Sequence, residues 1–427
     1  MVKNVHFFII LIFCCFCLCF FNSSVFAQTT TDTPVQYVKI QNGQLWVISD
    51  DGLYKPFFIK GVDYQPIPIG RHPSDWGWPY DDSRSSNIYD DPGILNRDFA
   101  KIQQMNANTI RFWKGNDTQE YNRFPNKLTI RAMLLAAQYH LKIIAGFWVN
   151  DLTFDSQGNV EGRQDIITRF VEYVYDFKKY SAILCWAIGN ENNYNKINGR
   201  PMSLKQLRSW YVLVNEMAHA AHDAEGASFH PVAVVNGEIA NIGDASLGTT
   251  DEQMPDLNIW GVNAYRGRSF YTLFTDYQKK SKKPLWISEF GIDAWHANDI
   301  KHPEKGYEDQ DTQSEWDGSL WDEIVQNAPT TIGGTVMEYS DEWWKPSEWY
   351  CTSPYTGQDE NAKRVAKCIS NQNHFGHMDA GFPDGFSSEQ WYGVMSIARN
   401  PSDPKGPDQM TERKVYFNLQ KKWQSNP

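Results

Sequence analysis

Short runs of β-branched and aromatic residues recur along the chain, each separated from the next by a stretch with helical spacing. The runs cover residues 58–63, 109–113, 142–148, 183–188, 231–235, 257–262, 284–288 and 334–337. Apolar residues fill them almost continuously, as in strands covered on both faces, so they predict a parallel sheet rather than a half-exposed antiparallel one. The stretches between them include 96–105, 129–140, 163–179, 204–224, 270–280 and 312–326. In the fourth of these, Leu207, Tyr211, Val214 and Met217 recur at three and four residues, a helical period. Eight strand–helix units predict one α/β domain, a closed (β/α)8 TIM barrel with helices on its outer face. The fifth unit is the weakest, since residues 237–256 show little helical pattern.

Three further segments frame this barrel. Residues 37–48 and 54–59 flank Ser49-Asp50-Asp51-Gly52, which reads as a short N-terminal β-hairpin packed on the barrel. Residues 345–389 carry neither period and read as a long loop after strand eight, followed by a closing helix over 411–423. At the other end, Lys3 precedes an apolar run over 7–21, and Val25-Phe26-Ala27 places small residues where a signal peptidase would cut. That run is shorter than the ~20 residues of a membrane span. Residues 1–27 are therefore read as a secretory signal, with an uncleaved anchor as the alternative. The expected organisation is a signal over 1–27, a leader and hairpin over 28–57, and the barrel over 58–427, with a secreted or periplasmic location.

Export changes the meaning of the cysteines. Four of the seven fall in the signal. Cys185 lies in an apolar run and is expected to pack as a small hydrophobe. Cys351 and Cys368 lie in the polar loop, where an oxidising compartment favours a disulfide. Such a staple would contribute about 3 kcal/mol in the chain-entropy model.

Composition narrows the ligand. With 40 basic against 51 acidic residues the formal charge is −11, which speaks against a polyanionic partner. The 41% hydrophobic content excludes a disordered chain, and the 15% aromatic content exceeds what a core needs. Trp186, Trp260 and Trp286 fall in predicted strands and are assigned to the core. Trp76, Trp78, Trp343, Trp344 and Trp349 fall in loop or strand-end segments, where stacking on sugar rings is the favoured reading.

Barrel enzymes gather their reacting groups at the C-terminal ends of the strands. The fourth strand ends in Gly189-Asn190-Glu191 and the seventh in Ser288-Glu289, nearly opposite one another in an eight-stranded ring. One strand-end glutamate is as readily an ion-pair partner as a catalyst. Two at those ends, with Tyr265 closing strand six and Arg111 closing strand two, fit glycoside hydrolysis by paired carboxyls. A separation of ~5 Å would give retention, and ~6.5–9.5 Å inversion.

These residues resemble the clan of retaining (β/α)8 glycoside hydrolases, over nearly all of residues 58–424. Within that clan, Ile59-Lys60-Gly61-Val62-Asp63-Tyr64-Gln65-Pro66, Asn108-Thr109-Ile110-Arg111, Ser288-Glu289-Phe290-Gly291 and the 333–339 segment are most similar to the fungal cell-wall β-1,3-glucanosyltransferases. The resemblance implies that Glu191 is the general acid and base and that Glu289 is the nucleophile. Arg111 would then favour an ionised Glu289, Tyr265 would bond the same carboxylate, and Asn190 would bond the sugar 2-hydroxyl. Tyr64, Gln65, Trp148 and Glu338, from other strand ends, and Trp343 and Trp344 are further candidates for the sugar-binding floor.

The expected function is thus a secreted glycosidase or transglycosylase acting on β-glucan, with β-1,3 linkages preferred. A β-1,4-mannanase or β-1,4-glucanase of the same clan, or a non-catalytic carbohydrate-binding barrel, are the alternatives. Neither the His219/His222 pair nor His374/His377 comes with a third ligand at a telling distance, and no nucleotide fingerprint accompanies a suitable turn. No cofactor or metal, no nucleic acid and no stable membrane insertion are expected, and the chain is expected to be a monomer.

Overall fold

The computed structural model describes residues 36–49, 51–69, 88–114, 128–149, 152–197, 199–301, 305–342, 377–398, 400, 402 and 407–424. The expected signal, the Cys351/Cys368 pair, Trp76, Trp78, Trp343, Trp344, Trp349 and most of the 345–389 loop lie outside the described residues.

Eight parallel strands close into a barrel in chain order. They are Ile59–Asp63, Thr109–Phe112, Lys142–Phe147, Ile183–Ile188, Val232–Gly237, Ile259–Asn263, Leu285–Phe290 and Thr331–Val336, numbered one to eight below. Strand eight pairs with strand one, Gly333 beside Ile59, and so completes the ring. Every residue of the eight strands is buried except Lys142. That two-sided burial is why the strands read as unbroken apolar runs.

Alternation along each strand divides the core into two layers. Ile144, Cys185, Ala187, Val235 and Trp286 cluster together on the inner side, and Cys185 is a buried free thiol, as expected of a small hydrophobe. Ile143, Trp186, Val234 and Ile287 face the other way, toward Phe99, Phe170, Val214 and Trp321 of the covering helices. Trp186, Trp260 and Trp286 are all fully buried.

The helices lie where the spacing places them, with ends set by local caps. Asp91 accepts from the amides of Gly93 and Ile94 to start Pro92–Gln104. Ser203 and Gln206 form a reciprocal capping box at the start of Leu204–Glu225. Between strands five and six no helix forms. Residues 237–256 instead run through turns, braced by the Thr249 hydroxyl, which donates to the Asn241 carbonyl.

Three expected boundaries move. The N-terminal hairpin is a three-stranded antiparallel sheet, Val38–Gln41, Gln44–Ile48 and Tyr54–Phe57. The chain reverses at Asn42-Gly43, both at positive φ, in a two-residue turn that matches strand twist. Val38, Leu45 and Val47 of this sheet pack with Ile59 and Ile332, against the end of the barrel at which the strands begin. Strand eight starts at Thr331, three residues before its expected start. The closing helix is Lys414–Trp423, because residues 409–412 are taken by a strand paired with Met395–Ala398.

The loop leaving strand eight is tied to that closing segment. Arg413 grips both carboxylate oxygens of Asp341, at 2.5 and 2.8 Å, and donates to the Gly393 carbonyl. Both side chains are buried, and removing one partner of such a pair costs about 3–5 kcal/mol.

Candidate active site

Strand four leaves the barrel through Gly189 and Asn190 and delivers Glu191 in a left-handed backbone conformation, φ 52°. The next two residues hold that turn in place. Asn192 accepts from the Asn190 amide at 3.0 Å and donates to the Val149 carbonyl at 2.7 Å, just past strand three. Asn193 clasps the backbone of Gly237 at the end of strand five, accepting at 2.9 Å and donating at 2.8 Å. The Glu191 amide donates to Val235 of the same strand. Short amide side chains can satisfy backbone groups of neighbouring strands in this way, and Asn192 and Asn193 both do so.

Glu289 is held differently. It lies within strand seven and is only 5% exposed. Its Oε1 accepts from Arg111 at 3.0 Å and from the Trp113 indole at 2.8 Å, and its Oε2 accepts from the Tyr265 hydroxyl at 2.9 Å. Burial, and then the Glu289 charge, hold the Tyr265 hydroxyl well above the ordinary phenol range, so it remains a donor.

Arg111 is the hub between the two carboxylates. Its guanidinium lies over the rings of Trp113 and Trp286, at 5.1 and 5.3 Å from their centroids. It donates to Glu289, to the Ser288 carbonyl at 2.8 Å, to Asp63 at 3.3 Å and to Asn190 Oδ1 at 2.7 Å. Asn263 completes the link. Its Oδ1 accepts from Ser288, while its Nδ2 donates to Asn190 Oδ1 at 3.2 Å and to Glu191 Oε1 at 2.9 Å. Two donors thus converge on the Asn190 oxygen, and its Nδ2 donates to none of the described residues. Below Arg111, burial pushes the Asp63 carboxyl well up, opposed by Arg111 and reinforced by the charge of Glu289. The guanidinium thus stands between two carboxyls, 3.3 Å from Asp63 and 3.0 Å from Glu289.

Of the candidates from sequence, Glu191, Glu289, Arg111, Asn190 and Tyr265 are brought into one hydrogen-bonded network. Trp148 packs half-buried beside it, with Trp113, Tyr265 and Met337, and Lys114 lies over its ring at 4.7 Å. Gln65 is half-exposed just beyond strand one. Tyr64 and Glu338 are not brought to an accessible surface. Tyr64 is fully buried among Phe99, Phe112 and Tyr339, with its hydroxyl on Asp98, and Glu338 is likewise fully buried. Sequence reasoning assigned no role to Trp113, Asn263 or Asp63. Period-two counting would have found the first two, since Trp113 lies two residues past Arg111 and Asn263 two before Tyr265.

Residues 27–219 match the glucanosyltransferase family model. The matched segment contains strands one to four and Glu191, and ends before Glu289. The 1,3-beta-glucanosyltransferase GAS4 of Saccharomyces cerevisiae is 22% identical over 254 residues, 56% of this chain and 49% of that protein. The 1,3-beta-glucanosyltransferase PGA4 of Candida albicans is 20% identical over 322 residues, 71% of this chain and 60% of that protein. The chain thus spans about half the length of the curated relatives it matches. Among solved structures, the β-glucuronidase of Bifidobacterium dentium, complexed with coumarin-3-O-glucuronide, aligns with a TM-score of 0.53 at 14% identity, over 92% of this chain and 49% of that one. The β-glucuronidase of Faecalibacterium prausnitzii aligns at 0.52 and 15%, over 91% and 52%. At that identity the likeness is one of fold.

Proposed function

We propose that this chain is a retaining enzyme of glycosyl bonds acting on β-1,3-linked glucan, and that it passes the cleaved glycosyl unit to a second sugar or to water. The observation that carries this reading is the Glu289 carboxylate, fixed by three donors and joined to Glu191 through Arg111, Asn190 and Asn263. The glucanosyltransferase match and the two fungal relatives support the choice of substrate.

In this reading Glu289 attacks the anomeric carbon while Glu191 gives its proton to the departing glycosidic oxygen, leaving a glycosyl ester on Glu289. Glu191, now a carboxylate, takes a proton from an incoming hydroxyl. That oxygen bonds to the anomeric carbon as the ester bond breaks and its electron pair returns to Glu289. Two inversions give retention. Glu191 is half-exposed in its αL turn, whereas Glu289 is buried and fixed by three donors in front of the position the anomeric carbon would take. The Nδ2 of Asn190, which donates to none of the described residues, would bond the 2-hydroxyl of the sugar being transferred.

The apolar 7–21 run is read as an export signal, which would place the activity outside the cytoplasm. Among the described residues no helix is long and apolar enough to cross a membrane. Product analysis on laminarin, cellulose, mannan and xylan oligosaccharides tests the substrate. Cleavage or transfer on laminarin oligosaccharides with retained anomeric configuration is expected, and activity confined to mannan or cellulose would overturn the β-1,3 assignment.

A further inference from the structure

The turn that carries Glu191 also positions an exposed aromatic ring. Asn192–Tyr194 form one turn of 3-10 helix, and the Tyr194 amide donates to the Glu191 carbonyl at 2.8 Å. Tyr194 is 53% exposed, and among the described residues its hydroxyl has no hydrogen-bond partner. The ring is nevertheless held in place. It lies on the bare backbone of Gly237, where an added Cβ would fall 2.2 and 2.4 Å from two ring carbons. Asn193 clasps that same glycine, so ring and backbone are fixed to each other.

Beside the ring is a charged pair. Arg266, one residue past Tyr265, makes two hydrogen bonds to Glu238, one residue past Gly237, with Nε at 2.7 Å. Both side chains are partly exposed. Burial, and then the negative charges of Glu238 and Glu191, raise the Tyr194 hydroxyl above the ordinary phenol range, opposed by Arg266.

A β-linked glucopyranose presents an apolar face of axial C–H bonds and an edge of equatorial hydroxyls. Tyr194 offers a flat ring for the face, and the Glu238–Arg266 pair offers in-plane acceptors and donors for the edge. Because the ring belongs to the same turn as the proposed acid, its amide bonded to the Glu191 carbonyl, the sugar it would hold is the one whose oxygen Glu191 protonates or deprotonates. We infer that Tyr194, with Glu238 and Arg266, forms the subsite for the leaving-group and acceptor sugar, and thereby sets the partition between transfer and hydrolysis. This rests on the reading of a glycosyl-transferring site. At the transfer step the acceptor hydroxyl oxygen bonds to the anomeric carbon, its proton goes to Glu191, and the ester to Glu289 breaks.

The experiment uses the full chain with an aryl β-laminaribioside as donor and laminaribiose as acceptor. An aryl leaving group makes the first half-reaction depend little on a sugar beyond Glu191. For Tyr194→Ala the acceptor concentration giving half-maximal transfer is expected to rise about ten-fold, with aryl release changing several-fold less. Tyr194→Phe, which keeps the ring, should restore most of the acceptor response. An acceptor dependence in Tyr194→Ala equal to that of the parent, with an unchanged circular dichroism spectrum, would overturn the inference. Absence of aryl release from the parent on β-1,3- and β-1,4-linked donors would instead defeat the reading of the function. Oligosaccharide binding to Glu289→Gln then decides the subsite. A roughly ten-fold loss on adding Tyr194→Ala supports it, and equal binding, or no binding in either protein, overturns it.

Discussion

The two strand ends that carry Glu191 and Glu289 solve the placement of a carboxyl in opposite ways. At strand seven the glutamate belongs to the strand itself, and its oxygens are filled by donors at and just past the ends of strands two and six. At strand four the glutamate stands beyond the strand, in a turn whose own side chains, Asn192 and Asn193, anchor it to the segments at strands three and five. The first design fixes charge and the second fixes backbone. The first suits the nucleophile proposed at Glu289, since an attacking oxygen must be held in front of one atom. The second suits the proton carrier proposed at Glu191, since the environment of an acid and base must accommodate both protonation states.

That contrast can be broken most sharply at the carboxyls. Glu289→Gln and Glu191→Gln should each lower turnover by about 10²–10⁴-fold or more in oligosaccharide assays while the proteins stay folded. Near-normal turnover in either would remove its assigned role. Only the Glu191 variant is expected to regain cleavage with a donor whose leaving group needs no proton, such as an aryl glycoside.

The supports come next. Arg111→Met deprives a buried carboxylate of its cation, which should cost about 3–5 kcal/mol of stability in denaturant titrations as well as activity. Tyr265→Phe removes one hydrogen bond to a charged group, about 1.5–3 kcal/mol, so kcat/KM should fall by about ten-fold to a hundred-fold. On the other side, Asn193→Ala leaves both backbone groups of Gly237 without their side-chain partner and should destabilise by about 1–3 kcal/mol. Its loss of activity should parallel loss of the acid–base step, visible as greater sensitivity to leaving-group acidity. Equal sensitivity in Tyr265→Phe would blur the contrast.

The smallest effect concerns Asp63. Its folded-state carboxyl is raised above the ordinary 3.8, chiefly by burial. Above pH ~4 the unfolded chain releases this proton while the folded one retains it, so this group's contribution makes stability fall as pH rises. Asp63→Asn keeps an acceptor for Arg111 and should flatten that part of the stability–pH curve. An unchanged curve would mean that Asp63 is ionised when folded.

Much of this was legible because buried strands leave a strong signal. All eight runs became barrel strands, and the two glutamates could be placed at the mouth by counting strands. Side-chain direction was harder. Tyr64 follows Asp63 at the end of strand one, and that single step turns it outward onto Asp98 and Phe99 rather than toward Arg111. Glu338 lies beyond strand eight in a segment whose backbone pairs with 392–394, a partner more than fifty residues away that no local pattern announces. Asn263 was hidden by its ordinariness, since an asparagine at a strand end signals a turn as readily as a link between two acids. The seat of the Tyr194 ring is Gly237, a residue of strand five that no local pattern around Tyr194 announces.

The division of roles between Glu289 and Glu191 can be tested directly by trapping the covalent intermediate. Incubation with a 2-deoxy-2-fluoro-β-laminaribiosyl fluoride, followed by intact-mass and peptide mass spectrometry, should show one added glycosyl unit on a peptide containing Glu289, absent from Glu289→Gln. A label on Glu191, or no label together with inverted product configuration by NMR, would contradict it.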